Sequence, residues 1–267
     1  MTYRLGVIGG GTLGSALVAG LLAKKIYAPA EIIVSHPRAE RRQFWAETYG
    51  VGVTADNPTA AAAHEVVLVA VKPQQFGRVV PDLQAVQPAA VLVSVLAGTS
   101  LTSLETAVPG KAWVRAMPNT PVQVQAGVTA LAWGRQVNET QQQRATQLFQ
   151  AVGQVVTVPE AYLNGVTALA GSGPAYAALL IEALIDGGVL VGLPRALATQ
   201  LTLQTLLGTV QLLQQQALDP AALKAQVMSP GGTTSAGLLC LEGQGARGML
   251  MQAVQAAYQR AQALGQS

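Results

Sequence analysis

Leu5-Gly6-Val7-Ile8-Gly9-Gly10-Gly11-Thr12-Leu13-Gly14 decides the fold. A short apolar run leads into G-x-G-x-x-G, and an apolar helical stretch opens at Leu13. Strand, glycines and helix in that order form the phosphate-binding turn of a dinucleotide-binding βαβ unit. Gly9 permits the tight turn, Gly11 lets the backbone approach a pyrophosphate, and Gly14 lets helix and strand pack closely. The helix N-terminus then turns its free N–H groups toward the phosphates. A glycine-rich turn alone can be only a turn; the flanking strand and helix give this one a ligand. Gly9, Gly11, Thr12, Leu13 and Gly14 are therefore candidate cofactor contacts.

Outward from that turn, short β-branched runs alternate with helical stretches. Strands are expected at Leu5–Ile8, Ile32–Val34, Val66–Val71, Val91–Leu96, Trp113–Ala116, Val128–Trp133 and Val155–Val158. Continuous apolar runs among them suit strands buried on both faces of a parallel sheet. Helices are expected at Leu13–Lys25, Arg38–Tyr49, Gln75–Ala85 and Glu139–Val152. This alternation predicts a doubly wound α/β domain of Rossmann type over residues 1–160.

Beyond Glu160 no strand-like run remains, and Ala, Leu and Gln dominate. Residues 161–267 read as an all-α domain. Its breaks are expected at Gly171-Ser172-Gly173-Pro174, Gly192-Leu193-Pro194, Asp219-Pro220 and Ser229-Pro230-Gly231-Gly232. Charge is sparse here, so many helix faces would stay apolar in a single copy. The expectation is a homodimer built from these helices; the alternative is one copy with an apolar helical tail.

Composition narrows the classes further. Half of the 267 residues are hydrophobic and 11% are charged, against roughly 25% charged in an ordinary soluble domain. A membrane would also take up such surface. However, the best spanning candidate, Ala175–Leu193, carries Glu182 and Asp186 and ends in Gly-Leu-Pro, so no span is expected. Basic residues are scattered and the net charge is only +3, which gives no nucleic-acid footprint. One cysteine, Cys240, and two histidines, His36 and His64, leave no metal-binding set. Tyr3-Arg4-Leu5 enters the first strand without a leader pattern, so a cytoplasmic protein is expected.

The end of the second strand speaks to the dinucleotide. NAD sites usually place Asp or Glu there to bond the ribose 2′-hydroxyl. Here Ser35-His36-Pro37-Arg38 follows with no acid. Ser35 can donate to a 2′-phosphate and Arg38 can pair with it, with Arg41 or Arg42 as helpers. NADPH is favoured and NADH stays open. Those arginines can equally solvate the following helix. Ala70-Val71-Lys72-Pro73-Gln74 ends the third strand where ligands bind in open α/β sheets, although Lys72 also fits an ordinary strand end. Ala97 and Gly98 end the next in small residues that suit a flat nicotinamide.

Hydride transfer leaves the protein to orient the reactants and supply protons. Ketone reduction generates an alkoxide and calls for a placed acid. The helical half has no histidine and one lysine, Lys224; Tyr162, Tyr176 and Tyr258 stand outside any polar cluster. A protonated imine already carries the charge that hydride neutralises, so a weak donor suffices, and C=N reduction fits better. Thr233 and Thr234 follow two glycines, where backbone N–H groups can enclose a carboxylate. The same loop also reads as a helix–helix turn capped by Ser229 or Thr233.

Several motifs resemble one family. They are Ala70-Val71-Lys72-Pro73-Gln74, Met117-Pro118-Asn119-Thr120-Pro121, Gly171-Ser172-Gly173-Pro174-Ala175-Tyr176, Ile181-Glu182-Ala183-Leu184, Gly192-Leu193-Pro194-Arg195, Gln204-Thr205, and Leu241-Glu242 through Arg247 to Ala253-Val254. The most specific is Ser229-Pro230-Gly231-Gly232-Thr233-Thr234. Over nearly its whole length the chain resembles the pyrroline-5-carboxylate reductases. The resemblance implies a Rossmann domain followed by an all-helical dimerisation domain. It also implies reduction of 1-pyrroline-5-carboxylate to proline by NADPH or NADH; rings of dimers are compatible with it. It puts Ser229, Gly232, Thr233 and Thr234 on the substrate carboxylate, with the Thr234 hydroxyl as proton donor to the ring nitrogen. Asn57, Ala70, Lys72, Pro73, Ala97 and Gly98 fall at the cofactor, and Met117, Pro118 and Asn119 between nicotinamide and substrate. Asn119 counts with the cofactor contacts, Met117 and Pro118 with the substrate. Gly187 stands where the family usually has Ala.

Two other readings compete. A β-hydroxyacid dehydrogenase shares the plan but needs a lysine soon after the glycine-rich stretch; here Pro174-Ala175-Tyr176-Ala177-Ala178-Leu179 follows. A non-enzymatic NADPH sensor would tolerate loss of the loop's glycines and hydroxyls, and all are present.

Overall fold

The structure, a computed structural model, describes residues 3–265. Two compact units emerge: Met1–Ser172 with Ala257–Ser267, and Gly173–Ala256.

The first unit is built on an eight-stranded sheet in the order β3-β2-β1-β4-β5-β6-β7-β8. Its strands are β1 (Leu5–Ile8), β2 (Ile32–Ser35), β3 (Gly52–Thr54), β4 (Val66–Val69), β5 (Val91–Ser94), β6 (Trp113–Pro118), β7 (Gly127–Trp133) and β8 (Gly153–Thr157). The connecting helices are α1 (Thr12–Ala23), α2 (Ala39–Tyr49), α3 (Asn57–Ala61), α4 (Phe76–Val79), α5 (Leu101–Ala107) and α6 (Glu139–Gln150). Strand alternation divides the core between the two faces. Leu5, Val7, Ile32, Val34, Val66 and Leu68 belong to one buried cluster, and Ile8, Ile33, Val67 and Val69 to the other. Both faces are dry because helices cover both, which is why these strands read as unbroken apolar runs.

Two strand expectations and one helix expectation need correction. The sheet is not wholly parallel: β6 and β7 run antiparallel, with Met117 opposite Ala130. Their connection is a single 3₁₀ turn, Thr120–Val124, too short for the crossover that parallel strands require. The edge strand β3 was not expected. It is short, opens on Gly52 and pairs with β2. Helix Gln75–Ala85 is instead α4 followed by a 3₁₀ turn, Pro81–Ala85, because Pro81 brings no N–H to continue the ladder.

Past β8 come α7 (Leu163–Val166) and a π turn over Thr167–Gly171. Then α8 (Gly173–Leu190) begins. The break expected at Gly171–Pro174 is therefore not a loop. Pro174 sits in the first turn of α8, where a missing N–H costs nothing. The stretch Glu160–Leu190 is long and apolar enough to cross a membrane by length and composition.

The other expected breaks are present. Gly192 takes φ +95° before α9 (Arg195–Gln216). Asp219 caps α10 (Pro220–Val227) by accepting the Ala221 N–H at 2.8 Å. A loop with Gly231 at φ +67° precedes α11 (Thr233–Gly243); α12 (Ala246–Gly265) closes the chain. Within the second unit α8 crosses α9 closely, since a Cβ on Gly188 would stand 2.9 Å from that of Ala198.

Candidate functional site

The ends of β1, β2, β3 and β4 meet at one cleft of about 580 Å³. After β1, Gly9 turns the chain with φ +93°, and any Cβ there would meet the Ala70 backbone at 2.8 Å. Gly10 lies on the Trp45 ring, its Cβ position 2.3 Å from the indole nitrogen. Gly11 faces open space. A side chain there would fill the room that an incoming phosphate needs, so the turn fits the group the sequence implied. Gly14 is packed beneath, its Cβ position 3.3 Å from the Gly9 carbonyl, as the close helix–strand approach requires.

Gly9, Gly11, Ser35, Arg38, Asn57, Ala70 and Lys72 line this cleft together. Thr12, Leu13 and Gly14 stand outside its lining, in the first turn of α1. Pro73 begins the 3₁₀ turn after Lys72. Ala97 and Gly98 follow β5 outside the lining; Gly98 takes φ +75°, with its Cβ position 3.1 Å from the Leu264 carbonyl. Asn119 is not in the cleft either; its side-chain carbonyl accepts the Val128 N–H at 2.9 Å and shapes the β6–β7 turn. Met117 and Pro118 end β6. The Met117 methyl lies 2.8 Å from where a Gly171 Cβ would be, at the π turn.

Hydrogen bonding fixes the polar side of the cleft. The Asn57 amide donates to the Asp82 carboxylate at 2.9 Å. That sets its orientation, because a carboxylate only accepts. The Asn57 carbonyl is left to accept the Ser35 hydroxyl at 2.5 Å. Ser35, 1% exposed, thus turns lone pairs rather than its proton to the cleft. Arg41 and Arg42 are likewise committed, to the carbonyls of Gly10 at 2.7 Å and of His36 and Pro37. The Arg38 guanidinium, by contrast, has no side-chain partner among the described residues. His36 is held below its ordinary value, first by burial and then by Arg38.

The sequence reading missed Arg78, which lines the same cleft from α4, together with Gln75 and Val79. It also missed Trp45, fully buried under the glycine turn with its indole N–H unpartnered. One signal was available for Arg78: it follows Lys72 closely at the carboxyl edge of β4, where ligands of such sheets bind. Among the described residues no acid lines the cleft.

The loop Ser229–Thr234 belongs to the second unit. Gly232 caps α11 with no side-chain hydrogen bond. Neither Ser229 nor Thr233 is the cap. Instead the Ser229 carbonyl accepts from the Gly232 N–H at 3.0 Å and the Ser235 hydroxyl at 3.0 Å. The first-turn N–H groups of Thr233 and Thr234 have no place in the helical ladder. Such groups can hold an anion, with the Thr234 hydroxyl on the following residue.

Residues 160–264 match a family model described as pyrroline-5-carboxylate reductase dimerisation, and residues 4–98 one described as NADP oxidoreductase, coenzyme F420-dependent. A pyrroline-5-carboxylate reductase of a Synechocystis species is 50% identical, over 99% of each chain. The structure of one from Coxiella burnetii superposes with a TM-score of 0.92 at 34% identity, covering both chains fully. That of a Plasmodium falciparum pyrroline carboxylate reductase with NADP bound gives 0.88 at 31% identity, over 98% of each chain. This chain, with its β1–α1 glycine turn, its partnerless cation after β2 and its Gly-Gly-Thr-Thr loop opening α11, is similar to these reductases over its full length, and it belongs to the pyrroline-5-carboxylate reductase family.

Proposed function

We propose that this chain reduces the C=N bond of 1-pyrroline-5-carboxylate to L-proline, the last step of proline biosynthesis, with NADPH preferred over NADH. The observation that carries the cofactor assignment is a glycine-turn cleft lined by Arg38, Lys72 and Arg78 and by no acid. Bound there, the dinucleotide supplies the hydride. Gly9, Gly11 and the first turn of α1 from Thr12 to Gly14 receive its phosphates. Asn57, Ala70, Lys72 and Pro73 hold its middle, and Ala97, Gly98 and Asn119 its nicotinamide end. With the Ser35 proton committed to Asn57, charge recognition of a 2′-phosphate falls to Arg38, and Ser35 contributes shape.

In the second unit, Ser229, Gly232, Thr233 and Thr234 enclose the substrate carboxylate with N–H groups and hydroxyls. Met117 and Pro118 form an apolar wall against the ring. Thr234 donates to the ring nitrogen, whose carbon partner receives the hydride; the nitrogen ends as the secondary amine of proline. A hydroxyl suffices because no alkoxide has to be protonated. We assign residues 1–160 to dinucleotide binding and 161–267 to dimerisation and substrate binding. The helices of the second region pair with those of a second copy, rings of such dimers being compatible with this, and the enzyme works in the cytoplasm.

The test follows nicotinamide absorbance with pyrroline-5-carboxylate, NADPH and NADH in parallel. Rapid oxidation with NADPH preferred is expected, and Thr234→Ala should lower turnover by about 10²-fold, the scale of a lost proton donor. Unchanged turnover in that variant would remove the role of Thr234; no turnover by folded, NADPH-binding protein would overturn the reaction.

A further inference from the structure

We propose that Arg78 is a specificity-determining residue, a second cation for the 2′-phosphate of the dinucleotide; this rests on the cofactor reading above. Arg78 projects from α4 and lines the cleft shared by Ser35, Arg38, Asn57 and Lys72. Its guanidinium makes no hydrogen bond or ion pair among the described residues. The one acid a turn further on, Asp82, is engaged by the Asn57 amide at 2.9 Å. Cations gathered in a cleft without an acid raise its potential and attract an anion.

The same hydrogen bonds say which anion. Asp82 binds Asn57, and Asn57 binds Ser35 at the end of β2. This chain ties the segment after α4 to the strand end where dinucleotide folds read the ribose 2′ position. The pyrophosphate has its own receptor in the glycine turn and the start of α1. Arg41 and Arg42 are bound to backbone carbonyls, and Ser35 presents no proton. Without Arg78, a doubly charged group would then meet only Arg38 and, from the end of β4, Lys72. Arg78, on a different element, completes a pair with the planar fork that suits phosphate.

The experiment compares wild type, Arg78→Gln and Arg78→Lys in two ways. Calorimetric binding of 2′,5′-ADP and of 5′-AMP isolates the 2′-phosphate without turnover. Ratios of kcat/KM for NADPH over NADH read the same group in the working enzyme. Arg78→Gln should weaken 2′,5′-ADP binding about tenfold, a usual scale for one charge-assisted contact, while the AMP affinity changes far less. The NADPH:NADH ratio should fall by a similar factor through the NADPH KM, and Arg78→Lys should restore part of it. Equal loss for 2′,5′-ADP and AMP would place Arg78 on the pyrophosphate and overturn the proposal, as would no change in either. If wild type failed to reduce pyrroline-5-carboxylate yet the 2′,5′-ADP difference held, the reaction would fall and the role of Arg78 would stand.

Discussion

The sheet and the long helices treat their apolar residues in opposite ways. Every residue of β1, β2, β4 and β5 is buried. Among the later helices α8, α9 and α12 bury one residue each, and α10 and α11 none. Leu190 is 88% exposed and Leu239 76%. The strands draw on Val and Ile and the helices on Leu and Ala, but both sets of side chains are apolar, so residue type alone does not explain the difference in burial. What differs is where the covering surface comes from. The sheet is covered by its own helices, whereas the later helices leave many large apolar side chains exposed, Leu184, Leu203, Leu207, Leu241 and Met251 among them, and exposed apolar surface of this kind marks interaction sites. A membrane would serve the stretch Glu160–Leu190 by length and composition. The family match assigns that stretch, with the helices that follow it as far as residue 264, to a dimerisation domain.

The sharpest way to break this comparison is to put a charge on each side of it. Leu207 in α9 is 54% exposed and Val124 in the β6–β7 turn 74% exposed. On a single chain both would accept Glu readily. If a second copy covers α9, Leu207→Glu buries an unpaired charge, at about 3–5 kcal/mol. Sedimentation should then show loss of the dimer, with activity falling alongside. Val124→Glu should change stability by less than about 0.5 kcal/mol. A fully dimeric Leu207→Glu protein would move the interface off this face.

Within the glycine turn the contrast is between conformation and room. Gly9 combines φ +93° with backbone at 2.8 Å, while Gly11 has nothing within 4 Å. Gly9→Ala should therefore destabilise the protein by about 2–3 kcal/mol, the cost of backbone strain at such a position, and remove cofactor binding with it. Gly11→Ala should cost under about 1 kcal/mol in stability yet weaken NADPH binding about tenfold or more. Thermal denaturation with and without NADPH separates the two effects. Equal losses of stability would mean that Gly11 is structural and faces no ligand.

How much of this was legible follows from which interactions are local. β1 was read to the residue because apolar runs and glycines are local signals. The antiparallel direction of β7 against β6 was not, since a short turn and a crossover differ only by the length between strand ends, which apolar runs do not mark sharply. β3 was missed because its pairing to β2, rather than its three residues, makes it a strand. At the site, glycine positions and the missing acid were readable. The commitment of the Ser35 proton was not, because it depends on Asp82, distant in sequence, fixing the Asn57 amide. Arg78 was overlooked for a related reason: only the folded α4 brings it to the cleft.

Two adjacent glycines in α8 give the smallest effects and test the helical half from inside. Gly188 packs on Ala198 of α9, with a Cβ position only 2.9 Å from that residue's own, whereas Gly187 has nothing within 4 Å. Gly188→Ala must push α8 and α9 apart, and overpacking of this sort costs about 1–3 kcal/mol. Gly187→Ala meets no such obstacle in its own chain and removes the backbone freedom of a mid-helix glycine, so it should stabilise by up to about 1 kcal/mol. Denaturant unfolding at two protein concentrations measures both. A gain at Gly187 that is the same at both concentrations leaves that face to solvent. A loss that weakens the dimer would instead put Gly187 against the partner's helix, with glycine kept there because two backbones approach closely.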